Sequence, residues 1–323
     1  MPVKRVLKTA ELYPVLLKYQ WILLVIGILF SLGASMVYPM HPDEKVFIKV
    51  AETMVAGGAP YRDIFDNKPP GIYLLLMPFV AMFGSNLTIL RLIPFVLNIV
   101  IGLLLYFICR TILSRREGVL IAFLYLIISP FYQANFIVTE VPMTVCLLVG
   151  TRLAWMWHNN GASREVFWVG FWLGMAILFK QTAAIYSLVM PILLLYPPKS
   201  YFTRKSLLLL GLYLAGLLVP ITMIVLYLIS HNSLAVSYSQ IIEYNIQSYP
   251  NSSLSVMVNF IPHLLFPIVL LWVFMKVFVK RAKMKAYHLY FISLFLLASI
   301  PLLLFRPYHH YWIPVLPYLL LLL

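Results

Sequence analysis

The chain has 323 residues, of which 63% are hydrophobic and 11% are charged, and its formal net charge is +14. Soluble domains are roughly 45–50% apolar and about 25% charged, so this composition excludes an ordinary soluble domain and a disordered chain. In a membrane protein Lys and Arg accumulate in cytoplasmic loops, so we expect the positive charge to report orientation and not binding to nucleic acid.

Ten apolar runs predict membrane helices, each of which needs about 20 mostly apolar residues to span. In chain order the runs are Trp21–Met40, Leu92–Cys109, Gly118–Tyr132, Val141–Trp157, Val166–Phe179, Thr182–Tyr196, Ser206–Ile229, Val256–Val279, Ala286–Phe305 and Trp312–Leu323. The last run stops after 12 residues, so we expect the natural C-terminus to lie beyond it. The sequence therefore predicts an all-α polytopic membrane protein with about ten transmembrane helices in one domain, residues 1–323.

One further apolar run, Gly71–Gly84, has only 14 residues, a length typical of an interfacial or re-entrant segment. If it does not cross and the N-terminus is cytoplasmic, 17 of the 24 basic residues lie in the cytoplasm and the external net charge is zero. If it crossed, 13 of the 16 basic residues that follow would move outside, against the positive-inside bias. We therefore predict that it does not cross and that residues 41–86 form the first external loop.

The first external loop begins with two carboxylates, Asp43 and Glu44, at the membrane surface. Apolar residues recur at helical spacing through Lys45–Gly57, which predicts an amphipathic helix lying in the interface. Asp43 is a candidate N-cap of this helix, a role that does not exclude its acting as a general base, and Glu44 is a second candidate base.

Later in the same loop, Lys68 precedes two prolines and a glycine that predict a rigid turn at headgroup depth. Lysine at that depth either meets lipid phosphates in general or binds one specific lipid-linked phosphate. Both interpretations remain open at this point.

Together these residues resemble the first external loop of membrane glycosyltransferases with the GT-C fold. The similarity is to the family 39 and 83 group, which includes protein O-mannosyltransferases and lipid A aminoarabinose transferases. It rests on Pro42-Asp43-Glu44, Tyr61, Asn67-Lys68-Pro69, Phe83-Gly84 with Arg91, and on later echoes at Thr139-Glu140, Gly170–Lys180 and Arg306–Tyr311.

The resemblance implies a polyprenyl-phosphate sugar as donor and transfer on the external face. By match, Asp43 takes the position of the catalytic aspartate and Lys68 that of the lysine that holds the lipid phosphate. The aminoarabinose transferases carry a metal-associated glutamate immediately before this lysine, where the present chain has Asn67. We therefore predict no metal site and no other cofactor.

Four more residues are predicted to face the site. Arg306 is expected to assist Lys68 at the donor phosphate, while Tyr61, Glu140 and His310 are expected to contact substrate. Glu140 has the alternative of a solvated loop acid, and Tyr308 and Tyr311 are typical of an aromatic belt. Lys180 is expected to pair or snorkel at a helix end rather than to act on substrate. A metal site built from His41, His309 and His310 is disfavoured, because adjacent histidines rarely point at one ion.

The predicted function is inverting transfer of a sugar from a polyprenyl-phosphate donor to a protein, lipid or glycan acceptor of the cell envelope. Membrane lipids and this acceptor are the expected partners. The expected location is the plasma membrane, as in a bacterial inner membrane, with a cytoplasmic N-terminus. The alternative is a transporter or flippase of lipid-linked sugars, whose signature would be ionisable residues near the bilayer midplane.

The predicted topology can be tested with single cysteines in intact cells. Cysteines at Asp63 and Ser248 should react with an impermeant thiol reagent, whereas cysteines at Ser114 and Lys283 should stay unlabelled until the membrane is opened. Labelling at Ser114 in intact cells would mean that Gly71–Gly84 crosses the membrane.

Overall fold

The computed structural model describes residues 18–194, 203–247, 286–305 and 308–322, and these ranges are almost entirely helical. The α-helices in chain order are α1 Gln20–Val37, α2 Pro42–Val55, α3 Gly71–Phe83, α4 Leu87–Leu90, α5 Leu92–Ile112, α6 Arg115–Ile128, α7 Glu140–Asn160, α8 Ser163–Phe179, α9 Ala184–Leu194, α10 Arg204–Ser230, α11 Leu234–Tyr238, α12 Tyr244–Gln247, α13 Ala286–Phe305 and α14 Leu316–Leu321. Short 3₁₀ turns cover Ser129–Tyr132, Gln181–Ala183 and His309–Trp312.

Three helical stretches are long and apolar enough to cross a membrane: Gln20–Val37, Leu87–Ile112 and Arg204–Ser230. Large apolar side chains on α1 and α10 are exposed, with Leu29 at 60% and Met223 at 66%, as expected for helices that face lipid. Shorter apolar stretches in the described ranges are Gly71–Phe83, Gln181–Leu194 and Tyr287–Ser299. The predicted span Val256–Val279 lies outside the described residues. The chain is thus a multi-pass helical membrane protein.

Helix α8 packs tightly against α10 because glycine is present on both sides of their contact. A Cβ atom on Gly170 would collide with the carbonyl of Tyr213, and one on Gly216 would collide with the carbonyl of Phe167. Small residues allow membrane helices to approach this closely. The contact fixes the end of α8, where Lys180 follows.

Helix α3 begins and ends at the same end of the helix bundle. At its start, a Cβ on Gly71 would lie 2.5 Å from the carbonyl oxygen of Leu178, so the chain touches the end of α8 there. Beyond its end, Arg91 returns to bond with Glu44. We call this the site end of the bundle, because both contacts lie there; that α3 does not cross the membrane stays a prediction from the charge distribution.

The site end is organised around a buried ion pair between Glu44 and Arg91. Arg91 donates to both carboxylate oxygens of Glu44, at 3.0 and 2.7 Å, and also to the carbonyls of Tyr38 and Pro39 at 2.5 and 2.8 Å. Glu44 additionally accepts from the backbone N–H of Ile137 at 3.0 Å. This pair therefore joins the end of α1, the start of α2, the start of α5 and the loop before α7.

Breaking this pair should unfold the protein at a lower temperature. Arg91→Met leaves the Glu44 charge buried without its partner, which costs about 3–5 kcal/mol of stability. The change in stability is measured by unfolding the protein in detergent, either by heating or with a denaturant. Lys49→Met is the control, because its ion pair with Glu52 is exposed and worth roughly 0–1 kcal/mol. Equal shifts for the two variants would contradict the central role of Arg91.

Candidate functional site at the first loop

Asp43 lies in the first turn of α2, but it does not cap the helix. The N-cap is His41, whose Nδ1 accepts the N–H of Asp43 at 3.2 Å, and the carboxylate of Glu44 accepts the N–H of His41 at 2.8 Å. The capping alternative for Asp43 is therefore wrong. Within the described ranges the Asp43 carboxylate is half-exposed, accepts no hydrogen bond and joins no ion pair, which leaves it open to a substrate.

Glu44, the second predicted base, has a structural role instead. It is fully buried, and its two oxygens accept four hydrogen bonds from Arg91, His41 and Ile137. A carboxylate held in this way has no room for an acceptor hydroxyl, and protonating it would break the pair that organises the site end. The prediction that Glu44 acts as a base is therefore wrong.

The loop that carries Lys68 is held by two buried tyrosines. The hydroxyl of Tyr61 donates to the Lys68 carbonyl at 2.7 Å, and the hydroxyl of Tyr73 donates to Asp66 at 2.6 Å. Asp66 also accepts the N–H of Asn67 at 2.6 Å. Tyr61 is only 2% exposed and its hydroxyl bonds to the Lys68 carbonyl, so it holds the Lys68 loop, and its contact with substrate stays a prediction.

The ammonium group of Lys68 is held by an amide and not by a carboxylate. Its Nζ donates to Oδ1 of Asn67 at 2.6 Å, and the side chain is half-buried. Among the described residues no carboxylate forms an ion pair with it. Its ammonium is therefore not engaged in a direct ion pair within the described residues, although it is under the influence of the charge of Asp66 in the same loop.

A second lysine at the site end, Lys180, is neutralised. It is 3% exposed, it forms an ion pair with Glu140, and its Nζ lies 3.6 Å from the centre of the Tyr311 ring. Lys180 thus pairs at a helix end, as predicted. Glu140 is 2% exposed and also accepts from the hydroxyl of Thr139, so the alternative of a solvated loop acid is wrong, while its contact with substrate stays a prediction.

His310 lies between Glu140 and the start of α2. Its Nε2 is 3.6 Å from Glu140, its Nδ1 is 3.0 Å from Oε1 of Gln133, and its ring is 6.4 Å from that of His41. Burial lowers the pKa of His310 to about 4, with Lys180 adding to the effect, so the imidazole is neutral near pH 7. It remains a predicted substrate contact.

The charge of Asp43 acts on groups in both the Lys68 loop and the 3₁₀ turn at His309–Trp312. Burial raises the pKa of Asp66, and the negative charge of Asp43 raises it further. The same charge of Asp43 acts on His310 in the opposite sense to burial. The Asp43 carboxylate is thus within electrostatic reach of His310 and of Asp66, which accepts the N–H of the residue before Lys68.

Several site residues were missed by the sequence reasoning. Gln181 donates to the carbonyl of Asn67 at 3.4 Å, and Gln240 and Asn245 reach the same loop from the segment after α10. Asp66 stands inside the Asn67-Lys68-Pro69 neighbourhood and could have been found there, whereas the amides lie in stretches without a recognisable motif. Arg306 lies outside the described residues.

No group of three His, Cys, Asp or Glu side chains that could hold a metal ion occurs in the described part of the chain. The Nδ1 atom of His41 accepts a hydrogen bond at the start of α2, and the amide oxygen of Asn67 accepts one from Lys68. The absence of a metal site therefore stays an expectation that rests on the residue types.

The family model of dolichyl-phosphate-mannose-protein mannosyltransferase matches residues 67–225, just under half of the chain. An uncharacterized protein of Aquifex aeolicus is 27% identical over 205 residues, which covers 58% of this chain and 40% of that protein. The family match begins at Asn67, the residue that holds Lys68.

Solved structures match along almost the whole chain. ArnT from Cupriavidus metallidurans bound to undecaprenyl phosphate has 13% identity and a TM-score of 0.65, over 94% of this chain and 59% of that one. The Archaeoglobus fulgidus oligosaccharyltransferase, tethered to an acceptor peptide, has 13% identity and a TM-score of 0.58, over 94% of this chain and 49% of that one. The chain thus spans about half of these proteins and has the GT-C fold, as its resemblance implies.

Proposed function

We propose that this protein transfers a sugar from a polyprenyl-phosphate donor to a hydroxyl or amine of a cell-envelope acceptor, with inversion at the sugar carbon. The site end then faces the outside of the plasma membrane, and the N-terminus is cytoplasmic. The observation that carries the proposal is that the Asp43 carboxylate and the Lys68 ammonium both lack an ion-pair partner among the described residues, while the charge of Asp43 acts on Asp66 in the loop that carries Lys68.

Two comparisons support the donor class. The family whose model matches uses dolichyl-phosphate mannose by its name, and the ArnT structure holds undecaprenyl phosphate. Both lipids present a phosphate at headgroup depth. A half-buried lysine that no described carboxylate pairs with suits such a phosphate, because a charge-assisted hydrogen bond is stronger than a neutral one.

In the proposed reaction the acceptor oxygen or nitrogen attacks the first carbon of the sugar while the bond from that carbon to the phosphate oxygen breaks. The bonding electrons go to the phosphate, which leaves as the polyprenyl phosphate with its added negative charge next to Lys68. The acceptor proton goes to the carboxylate of Asp43. A positioned base of this kind contributes about 10²–10⁴ in rate, and charge stabilisation at the leaving group about 10²–10³.

The lipid flippase is the alternative from another class. Of the six buried charged side chains in the described ranges, five lie at the site end and one, Glu165, at the start of α8. The test incubates reconstituted protein of natural length with radiolabelled polyprenyl-phosphate sugars and cell-envelope acceptors. Labelled acceptor supports the transferase, whereas labelled lipid that crosses the bilayer without product supports the flippase.

Replacement of Asp43 separates its chemistry from the structure. Asp43→Asn keeps the size of the side chain but cannot take up a proton, so transfer should fall by about 10²-fold or more. Melting in detergent should stay near wild type, because His41 and not Asp43 caps the helix. Glu52→Gln, on the same helix, is the control and should keep transfer. Full activity of the Asp43→Asn variant would pass the role of base to another group.

Replacement of Lys68 tests the donor phosphate. A charge-assisted contact is worth roughly 1.5–3 kcal/mol, so Lys68→Met should lower transfer about ten- to a hundredfold. Because Lys68 also meets charge that develops as the phosphate leaves, both kcat and KM should change. Lys68→Arg should recover part of the loss, since the charge persists in a larger fork. Equal activity of all three proteins would show that Lys68 meets only bulk lipid headgroups.

A further inference from the structure

The polar segment after α10 clamps the loop that carries Lys68. Gln240 donates from Nε2 to the carbonyl of Tyr61 at 2.9 Å and accepts the N–H of Asp66 at 3.2 Å. Asn245 donates from Nδ2 to the carbonyl of Asn67 at 2.9 Å and accepts from the Asn67 side chain at 3.4 Å. Two amides thus make four hydrogen bonds to one short loop, across about 180 residues of sequence.

A π-turn places the side-chain amides of Gln240 and Asn245 on the same side of their segment, so that both contact the Lys68 loop. The helical segment 234–247 contains a π-helical turn at Ser239–Glu243, in which the N–H of Tyr244 bonds to the carbonyl of Ser239. In an α-helix residues three or four apart share a face, so residues five apart do not. The i→i+5 bonding of a π-turn brings Gln240 and Asn245 above one another. Such turns are frequent at functional sites.

Both apolar contacts and hydrogen bonds hold this segment against the first loop. Ile246 is 77% exposed and none of the residues in the π-turn is fully buried, but Ile241 packs against the core and the Tyr244 ring lies 5.1 Å from that of Phe65. The hydrogen bonds of Gln240 and Asn245 add direction to these contacts. The amides therefore set the register of the Lys68 loop, while the apolar contacts keep the two segments together.

The chemistry of the clamp preserves the charge of Lys68. Asn67 Oδ1 accepts the ammonium of Lys68 at 2.6 Å, and Asn245 contacts Asn67 at both its side chain and its carbonyl. Every one of these groups is a neutral amide. A carboxylate in the same place would neutralise the lysine, as Glu140 does for Lys180.

We propose that Gln240 and Asn245 are positioning residues that hold the ammonium of Lys68 in register with the donor phosphate through the amide of Asn67. This inference rests on the proposed function. It adds the segment after α10, which contains the π-turn, to the part of the site that binds the leaving phosphate. Neither side chain needs to touch the donor.

A double-mutant cycle in the full-length protein tests the inference. Asn245→Ala and Gln240→Ala should each raise the donor KM and lower kcat, with kcat/KM reduced about tenfold, because a side chain that is misplaced by a fraction of an ångström loses a charge-assisted contact. In a Lys68→Met background the same replacements should change transfer less than about twofold, since residues that act through one group are not additive. Gln247→Ala removes the same kind of amide from an exposed position and should keep wild-type kinetics.

The outcomes separate the two proposals. If the effects of Asn245→Ala multiply with that of Lys68→Met, the amides act independently of Lys68 and the positioning role is wrong, while the proposed function stands. If Asn245→Ala lowers the melting temperature but leaves KM and kcat unchanged, its role is only structural and the inference is again wrong. If wild-type protein neither transfers sugar nor binds polyprenyl phosphate, the proposed function fails and this inference falls with it.

Discussion

Glu44 and Arg91 form the interaction on which the site end depends. Both groups are nearly inaccessible to water, so each needs the other and several further hydrogen bonds to offset the loss of hydration. Those further bonds come from the carbonyls at the end of α1, the cap of α2 and the backbone of Ile137. The start of α2 is consequently fixed in three directions. These bonds fix the position of the adjacent residue, Asp43, whose side chain makes none of them.

The adjacent acids Asp43 and Glu44 have opposite roles because only one of them can reach the ion-pair partner Arg91. Glu44 is at the third helical position, where it can reach back to His41 and across to Arg91. Asp43 is one position earlier, so its side chain points about 100° away around the helix and stays half-exposed. The helix period, and not the identity of the acid, therefore decides which carboxylate is structural.

The two lysines of the site end show the same division between structure and chemistry. Lys180 is almost fully buried, and a buried ammonium without an anion is costly, so its pairing with Glu140 is a structural requirement. Lys68 is half-buried, which allows water or a ligand to solvate its charge, and a neutral amide is then enough to hold it. Burial thus accounts for which lysine carries a carboxylate partner.

The sequence was sufficient to predict the helical membrane architecture, because apolar runs and the distribution of basic residues report directly on the bilayer. The prediction that Gly71–Gly84 does not cross the membrane rests on the same distribution of basic residues. The sequence could not distinguish Asp43 from His41 as the cap, since both residues lie at the start of the helix and both can accept a hydrogen bond. The burial of Glu44, Glu140 and Tyr61 depends on partners 40 to 90 positions away or on a closed loop, for which local pattern gives no signal.

The failure to cross and the existence of the site are one constraint. Had α3 crossed, Arg91 would emerge at the opposite end of the bundle, and Glu44 would be a buried acid without its cation. The short apolar helix instead returns the chain to the site end after 13 residues, which is enough to cover the region beside the loop but too short to span the bilayer. An acid and a cation therefore stay together at the site end. In the proposed function the donor is a lipid-linked phosphate, which is confined to the depth of the lipid headgroups, so donor and site meet within one plane of the membrane.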